Sequence, residues 1–290
     1  MKVSLCLSGG GIKGVAHIGV LKAFQESGVC VESIGGTSSG SIVAILYAAG
    51  FNADEIYYIF RKYAKKIKYF DYVNILKLIF GIIFTGEINI DGFNSGRIIE
   101  KLVNKECNKK GIYSMMDLKK IVIIPSVDIE SGEVICFTSN TDKKVFLEET
   151  RFIYDISVGK AVRSSSSYPV VFSPCEYRER KLVDGGIREN VPWKELKAFG
   201  FDNILSVVLE SEKSSSCKNF IEVASKSFSL LCKELLKYEM KDSGNVLNIK
   251  TKKVGLLQTS KIDYLYNLGY EKGKEFIKKN KAVLKGTNKT

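Results

Sequence analysis

Two glycine-rich turns stand near the start of the chain, and each joins a short apolar run to a helical pattern: "VSLCLSGGGIKG" (Val3 to Gly14) and "VESIGGTSSG" (Val31 to Gly40). The runs Val3 to Leu7 and Val31 to Ile34 predict strands, and helices are expected at about Val15 to Glu26 and Gly40 to Ala49. Strand, helix, strand, helix with short connections commits a chain to parallel pairing, because parallel neighbours need a crossover between them. The expected fold class is therefore α/β, a mostly parallel central sheet covered by helices. Further strands are expected at Ile121 to Pro125, Val134 to Thr138, Lys181 to Val183 and Ile204 to Leu209. Residues 53 to 105 read as mostly helical, with Asn52 or Asp54 as first cap, and long helices are expected at Phe220 to Lys241 and Lys261 to Lys279. No linker divides the 290 residues, so one domain over 1–290 is expected, with 53–105 as a helical insertion or lid and a lysine-rich helical part over 211–290.

The first turn poses a chemical choice. Gly9, Gly11 and Gly14 satisfy G-x-G-x-x-G after a strand, the spacing of a dinucleotide site. Such a site also places an acidic residue at the end of the second strand to hold the ribose, whereas here Glu32 opens that strand and G-T-S-S-G closes it. Taken alone G-x-S-x-G is more often a plain Gly/Ser turn, but between strand and helix it reads as a nucleophile elbow: the glycines allow the sharp bend, and the hydroxyl of Ser38 is left at a helix N-terminus. Beside a nucleophile, the amides of Gly9, Gly10 and Gly11 suit the oxyanion of an acyl-transfer intermediate, with Lys13 adding positive potential.

A serine needs a base, and the chain has one histidine, His17. It falls in the first turns of the first helix, whereas a triad histidine arrives late, on a loop beyond the sheet; His17 reads as a structural helix residue. The search passes to carboxylates. In "KLVDGGIRENVP", Asp184 ends an expected strand before two glycines, a turn able to present its side chain at the sheet's edge. An unperturbed Asp, near ~3.9, is a poor base, and burial would improve it. Taken alone, the Asp-Gly pair is more simply a turn.

Together, "SGGGIKG" at 8–14, "GTSSG" at 36–40, "RSSSSYPVVFSP" at 163–174 and "VDGGIRENVP" at 183–192 resemble the patatin-like phospholipase family of lipid acyl hydrolases. The resemblance spans roughly residues 1–210. It implies a three-layer α/β/α fold, a Ser38–Asp184 dyad with Gly9, Gly10 and Gly11 as the oxyanion loop, and no cofactor or metal. Ser8 stands where many members have Asp, Gly185 where some have alanine, and "SSSSYP" replaces a more alanine-rich segment. The implied activity is that of a phospholipase A, cleaving fatty-acyl esters of membrane lipids through an acyl-enzyme. The alternatives are a lipid-binding or regulatory module with an idle dyad, and a nucleotide binder using the glycine loop.

Composition adds partners and compartment. A net charge of +12 favours anionic surfaces, or else describes a solvated lysine face; with this family resemblance an anionic membrane, touched peripherally, is the expected partner rather than nucleic acid. The apolar run Val73 to Phe84 is too short to span a bilayer; it reads as a buried helix, or with the basic and aromatic 63–72 stretch as an interfacial segment. Seven cysteines without a C-x-x-C pair point to a reducing compartment, away from a disulfide framework or zinc site. Without a recognisable secretory signal, a cytoplasmic location is expected.

Overall fold

The computed structural model describes residues 2–66, 91–139, 145–169, 171–211, 220–252, 254–255 and 258–280. The apolar run at 73–84 lies outside them, as does most of the segment expected to dock on lipid. The strands are β1 (Lys2–Leu7), β2 (Cys30–Gly36), β3 (Ile121–Asp128), β4 (Val134–Thr138), β5 (Thr150–Ile153), β6 (Cys175–Tyr177), β7 (Arg180–Asp184), β8 (Ile204–Ser211) and β9 (Asn245–Thr251). The α-helices are α1 (Val15–Glu26), α2 (Ser39–Ala48), α3 (Ala53–Tyr63), α4 (Arg97–Asn108), α5 (Val158–Ser165), α6 (Trp193–Ala198), α7 (Phe220–Glu239) and α8 (Ile262–Lys279).

All the strands join one sheet, ordered β5-β4-β3-β2-β1-β8-β9, with β7 on β3 and β6 on β7. The run β3-β2-β1-β8-β9 is parallel throughout. Alternation along these strands sorts side chains to two cores. Leu5 and Leu7 enter one with α1, α2 and α8, while Cys6 enters the other with Trp193 and Leu196 of α6. Helices therefore cover both faces, the three-layer arrangement. The late helix α8 packs tightly on α1: a Cβ at Gly19 would lie 2.1 Å from the Tyr266 carbonyl, and one at Gly269 1.9 Å from that of Ala16. Asn52 caps α3 as expected, its Oδ1 accepting the Glu55 amide at 2.9 Å while Glu55 accepts the Asn52 amide at 2.8 Å.

One detail of the sheet makes the site. Along one edge of β3, β2 pairs in parallel with residues 121–123, and β7 pairs antiparallel with residues 126–128. Strand β4 occupies the opposite edge. The C-terminal ends of β2 and β7 therefore run toward each other and meet beside β3. Pro125, expected to end its strand, lies instead inside it, in the gap between the two partners, so on that edge its missing N–H removes no rung.

Candidate active site

The elbow at the end of β2 is built by steric necessity. A Cβ at Gly36 would lie 2.4 Å from the Gly40 carbonyl oxygen, and one at Gly40 2.3 Å from that of Leu7. Between them Ser38 holds φ 52° and ψ −120°, outside the regions a serine ordinarily occupies, and stands half-buried ahead of α2. The bend is pinned from several sides: the Thr37 amide donates to the Leu7 carbonyl at 3.0 Å, the Thr37 hydroxyl to the Glu189 carbonyl at 2.9 Å, and the Ser38 amide to Ser165 Oγ at 3.1 Å. Gly40→Ala should accordingly cost roughly 3 kcal/mol or more of stability, a loss that thermal unfolding would register along with loss of activity.

Asp184 ends β7, where the converging strands bring it against the elbow. Its amide donates to the Ser167 carbonyl at 3.0 Å, and its Oδ1 accepts the Gly186 amide at 2.9 Å. Oδ2 is buried with no partner of ordinary hydrogen-bond geometry. Burial pushes Asp184 up from 3.8 to about 6, against the opposing pull of the Ser38 hydroxyl and the Gly186 amide. A carboxyl so placed is a far better proton acceptor than an exposed aspartate, and remains mostly ionised at neutral pH.

His17 lies inside α1, fully buried, with Nε2 at 2.8 Å from the Ser8 carbonyl; that acceptor puts the proton of the neutral ring on Nε2. Burial lowers its pKa to about 4, opposed by the bond to Ser8. It lines neither cavity at Ser38. Ser8 itself ties the glycine loop to the sheet, its amide donating to the Val207 carbonyl at 3.1 Å and its Oγ accepting the Leu209 amide at 3.0 Å.

The glycine loop passes over Ser38 but offers fewer donors than its sequence implies. The Gly9 amide is committed to Asn190 Oδ1 at 2.8 Å, so it is not open to an oxyanion while that bond stands. Gly10 and Gly11 keep their place at the cavity wall. Lys13 is buried in the same wall, and burial lowers its pKa. Two spaces meet at the serine. One, of about 150 Å³, is apolar and lined by side chains such as Ile42, Leu46, Ile59, Phe60, Ile99 and Val103 from α2, α3 and α4. The other, of about 430 Å³, holds Asp184 and Asn190 and is rimmed by Lys233, Lys237 and Lys241 on and just after α7. Gly11, Ser38 and Tyr168 line both. Among the described residues no group of histidine, cysteine and acidic side chains is placed to hold a metal ion, no helix is long and apolar enough to cross a membrane, and the described cysteines are unpaired.

The patatin-like phospholipase family profile matches residues 5–197, from β1 through the Asp184 loop. The chain belongs to the patatin-like phospholipase family. Curated relatives include lysophospholipase NTE1 of Candida albicans, 26% identical over 230 residues, covering 79% of this chain and 14% of that protein. NTE1 of Candida glabrata is 30% identical over 208 residues, covering 71% of this chain and 10% of its own length. This chain thus spans only a small part of the curated relatives it matches. Among solved structures, VipD of Legionella pneumophila superposes with a TM-score of 0.53 at 16% identity, covering 98% of this chain and 67% of that one. ExoU of Pseudomonas aeruginosa, in complex with SpcU, gives 0.50 at 17%, covering 96% and 52%. At those identities the likeness is one of fold.

Within this patatin-like frame, residues that the motifs alone do not single out support the pair. Asn190 clamps the glycine loop, Ser165 receives the amide of Ser38, and Ser167 receives that of Asp184. The last two lie in the "RSSSSYP" run, whose bias was visible in the sequence although its use was not. Arg163 anchors the run, its guanidinium donating to Ser167 Oγ and to the Ser95 and Ser173 carbonyls.

Proposed function

We propose that the chain hydrolyses fatty-acyl esters of phospholipids or lysophospholipids with Ser38 as nucleophile and Asp184 as its sole general base. Ser38 Oγ attacks the ester carbonyl and its proton passes to Asp184. The tetrahedral oxyanion is met by the Gly10 and Gly11 amides, while Gly9 holds the loop against Asn190 and Lys13 supports the charge from the cavity wall. Collapse expels the alcohol, which takes the proton back from Asp184. Water then attacks the acyl-enzyme, Asp184 accepting its proton and returning it to Ser38 Oγ as the fatty acid leaves. The completed cycle returns the dyad to its starting state.

The observation that carries this reading is the position of Ser38 between two unlike spaces. The apolar space suits the acyl chain, and the lysine-rimmed space suits the polar, phosphate-bearing part that leaves as a lysolipid or glycerophosphate. Helices α3 and α4, flanks of the proposed 53–105 lid, wall the acyl side. A fluorophosphonate probe should label Ser38 in the wild type, as located by peptide mass spectrometry. It should label Asp184→Asn roughly 100-fold more slowly, because the hydroxyl has lost its base. Labelling elsewhere, or none while fatty acid is still released from lipid vesicles, would sink the assignment.

A further inference from the structure

Helix α7 lies beyond the family-matched residues and is divided into three stripes. At about 100° per residue, Ser229, Cys232 and Leu236 fall on one side, and all three line the cavity that holds Asp184. On the far side Val223, Leu230, Leu231, Leu235 and Tyr238 recur at helical spacing. They are exposed although apolar, Leu231 by 70% and Tyr238 by 65%. Between the two sides runs a stripe of lysines, Lys226, Lys233 and Lys237. The acid within the apolar stripe, Glu234, is met by Lys237 at 2.6 Å, and Lys241 in the following turn lies 4.6 Å over the Tyr238 ring.

Large apolar side chains gathered on one solvent-facing side of a helix mark a docking surface. Here the surface is edged by cations and continues into the catalytic cavity. We infer that α7 lies in the plane of an anionic lipid surface, with Val223, Leu230, Leu231, Leu235 and Tyr238 in the acyl boundary and Lys233 and Lys237 at the level of the phosphates. Charge complementarity commits this face to lipid: the chain carries +12, and the lysines stand where the headgroup layer would be, between the exposed apolar stripe and the cavity mouth. Lysine suits that depth because its stem follows the apolar surface while its ammonium reaches the phosphates. The geometry also delivers the substrate. A lipid rising out of the layer past Lys233 meets the cavity at once, and α7 touches the boundary residue of both spaces directly, Phe228 packing edge-on against Tyr168 at 5.2 Å.

The inference rests on the lipid-hydrolase reading, and the experiment keeps the two apart. Wild type and the double variant Leu230→Ser/Leu231→Ser are compared in sedimentation with vesicles of phosphatidylcholine alone and of a phosphatidylcholine and phosphatidylserine mixture. Hydrolysis of a water-soluble short-chain ester is measured alongside. Neither leucine lines either cavity at Ser38, so the soluble ester should be cleaved equally by both proteins. The variant should bind mixed vesicles at least about tenfold more weakly, as expected for withdrawing two leucines from an apolar phase. Wild-type binding should rise with phosphatidylserine and fall with salt. Unchanged vesicle binding by the variant, or wild-type binding indifferent to phosphatidylserine and salt, overturns the inference even if the ester is cleaved. So does a self-associating wild type that the substitutions make monomeric without weakening vesicle binding, which would mark the face as a contact between copies. Failure of both proteins on the soluble ester with intact vesicle binding would instead remove the hydrolase reading.

Discussion

Ser38→Ala lowers fatty-acid release by about 10⁴-fold or more while leaving folding stability within about 1 kcal/mol of wild type. The large kinetic effect follows from the absence of a substitute. Ser39, next in the chain, is buried, and its Oγ faces the space where Gly14 would carry a Cβ, 2.6 Å away. Ser41 donates its hydroxyl to the Ser38 carbonyl at 2.5 Å. Among the described serines, Ser38 alone lines both cavities, and its hydroxyl meets the Asp184 carboxyl. The small thermodynamic effect follows because the elbow is held by backbone: the Ser38 amide on Ser165, the Thr37 amide on Leu7, and the glycines on either side. Alanine keeps all of these. Mass spectrometry of released fatty acid, paired with thermal melts of both proteins, reads the two effects separately. Full activity in the alanine variant would move the chemistry away from the elbow.

The elements of this site that were legible in the sequence are those whose chemistry is imposed on local backbone. Gly36 and Gly40 had to be glycines because the turn leaves no room for a Cβ at either, and these steric limits are local enough to be written as a motif around Ser38. The same holds for the opening strands and helices, where apolar spacing and turn residues agree. What escaped is made by tertiary pairing. Asn190 looks like one more polar residue in a loop until the fold brings it, 181 residues on, against the Gly9 amide. The serines at 165 and 167 receive amides from segments distant in sequence. Short edge strands such as Cys175–Tyr177 and Thr150–Ile153 carry too few residues to show a period, and Asn245–Thr251 hides its buried Leu247, Ile249 and Thr251 among polar neighbours. The helices at 158–165 and 193–198 were missed for the same reason of length. Pro125 misled because proline is read as a strand breaker, while the β2–β7 junction supplies a gap that tolerates it.

Asp184→Asn should do two opposite things, and together they separate a catalytic base from a structural turn residue. Burial raises the folded-state value from 3.8 to about 6, so the site favours the protonated form. A carboxyl raised on folding stabilises the protein fully below its unfolded value; that contribution is lost as pH rises through the folded value, here between about 4 and 6. At pH 7 the ionised side chain therefore costs the fold about 3 kcal/mol relative to its neutral form. Asparagine is neutral at every pH, and its oxygen can still accept the Gly186 amide. The variant should thus be more stable than wild type at pH 7, by up to about 3 kcal/mol, with the difference vanishing below pH 4. Its activity should fall at least about 10³-fold, since no histidine is at hand to take the proton. In the wild type, hydrolysis should rise with pH through about 6 and then level off, because only the ionised carboxyl accepts the Ser38 proton. Denaturant melts of both proteins at pH 4 and pH 7, with a pH–rate profile of the wild type, test all three. A variant both inactive and less stable at pH 7 would make Asp184 a support of the turn. Greater stability with lost activity identifies a carboxyl that the fold keeps buried at a cost because the chemistry requires its charge.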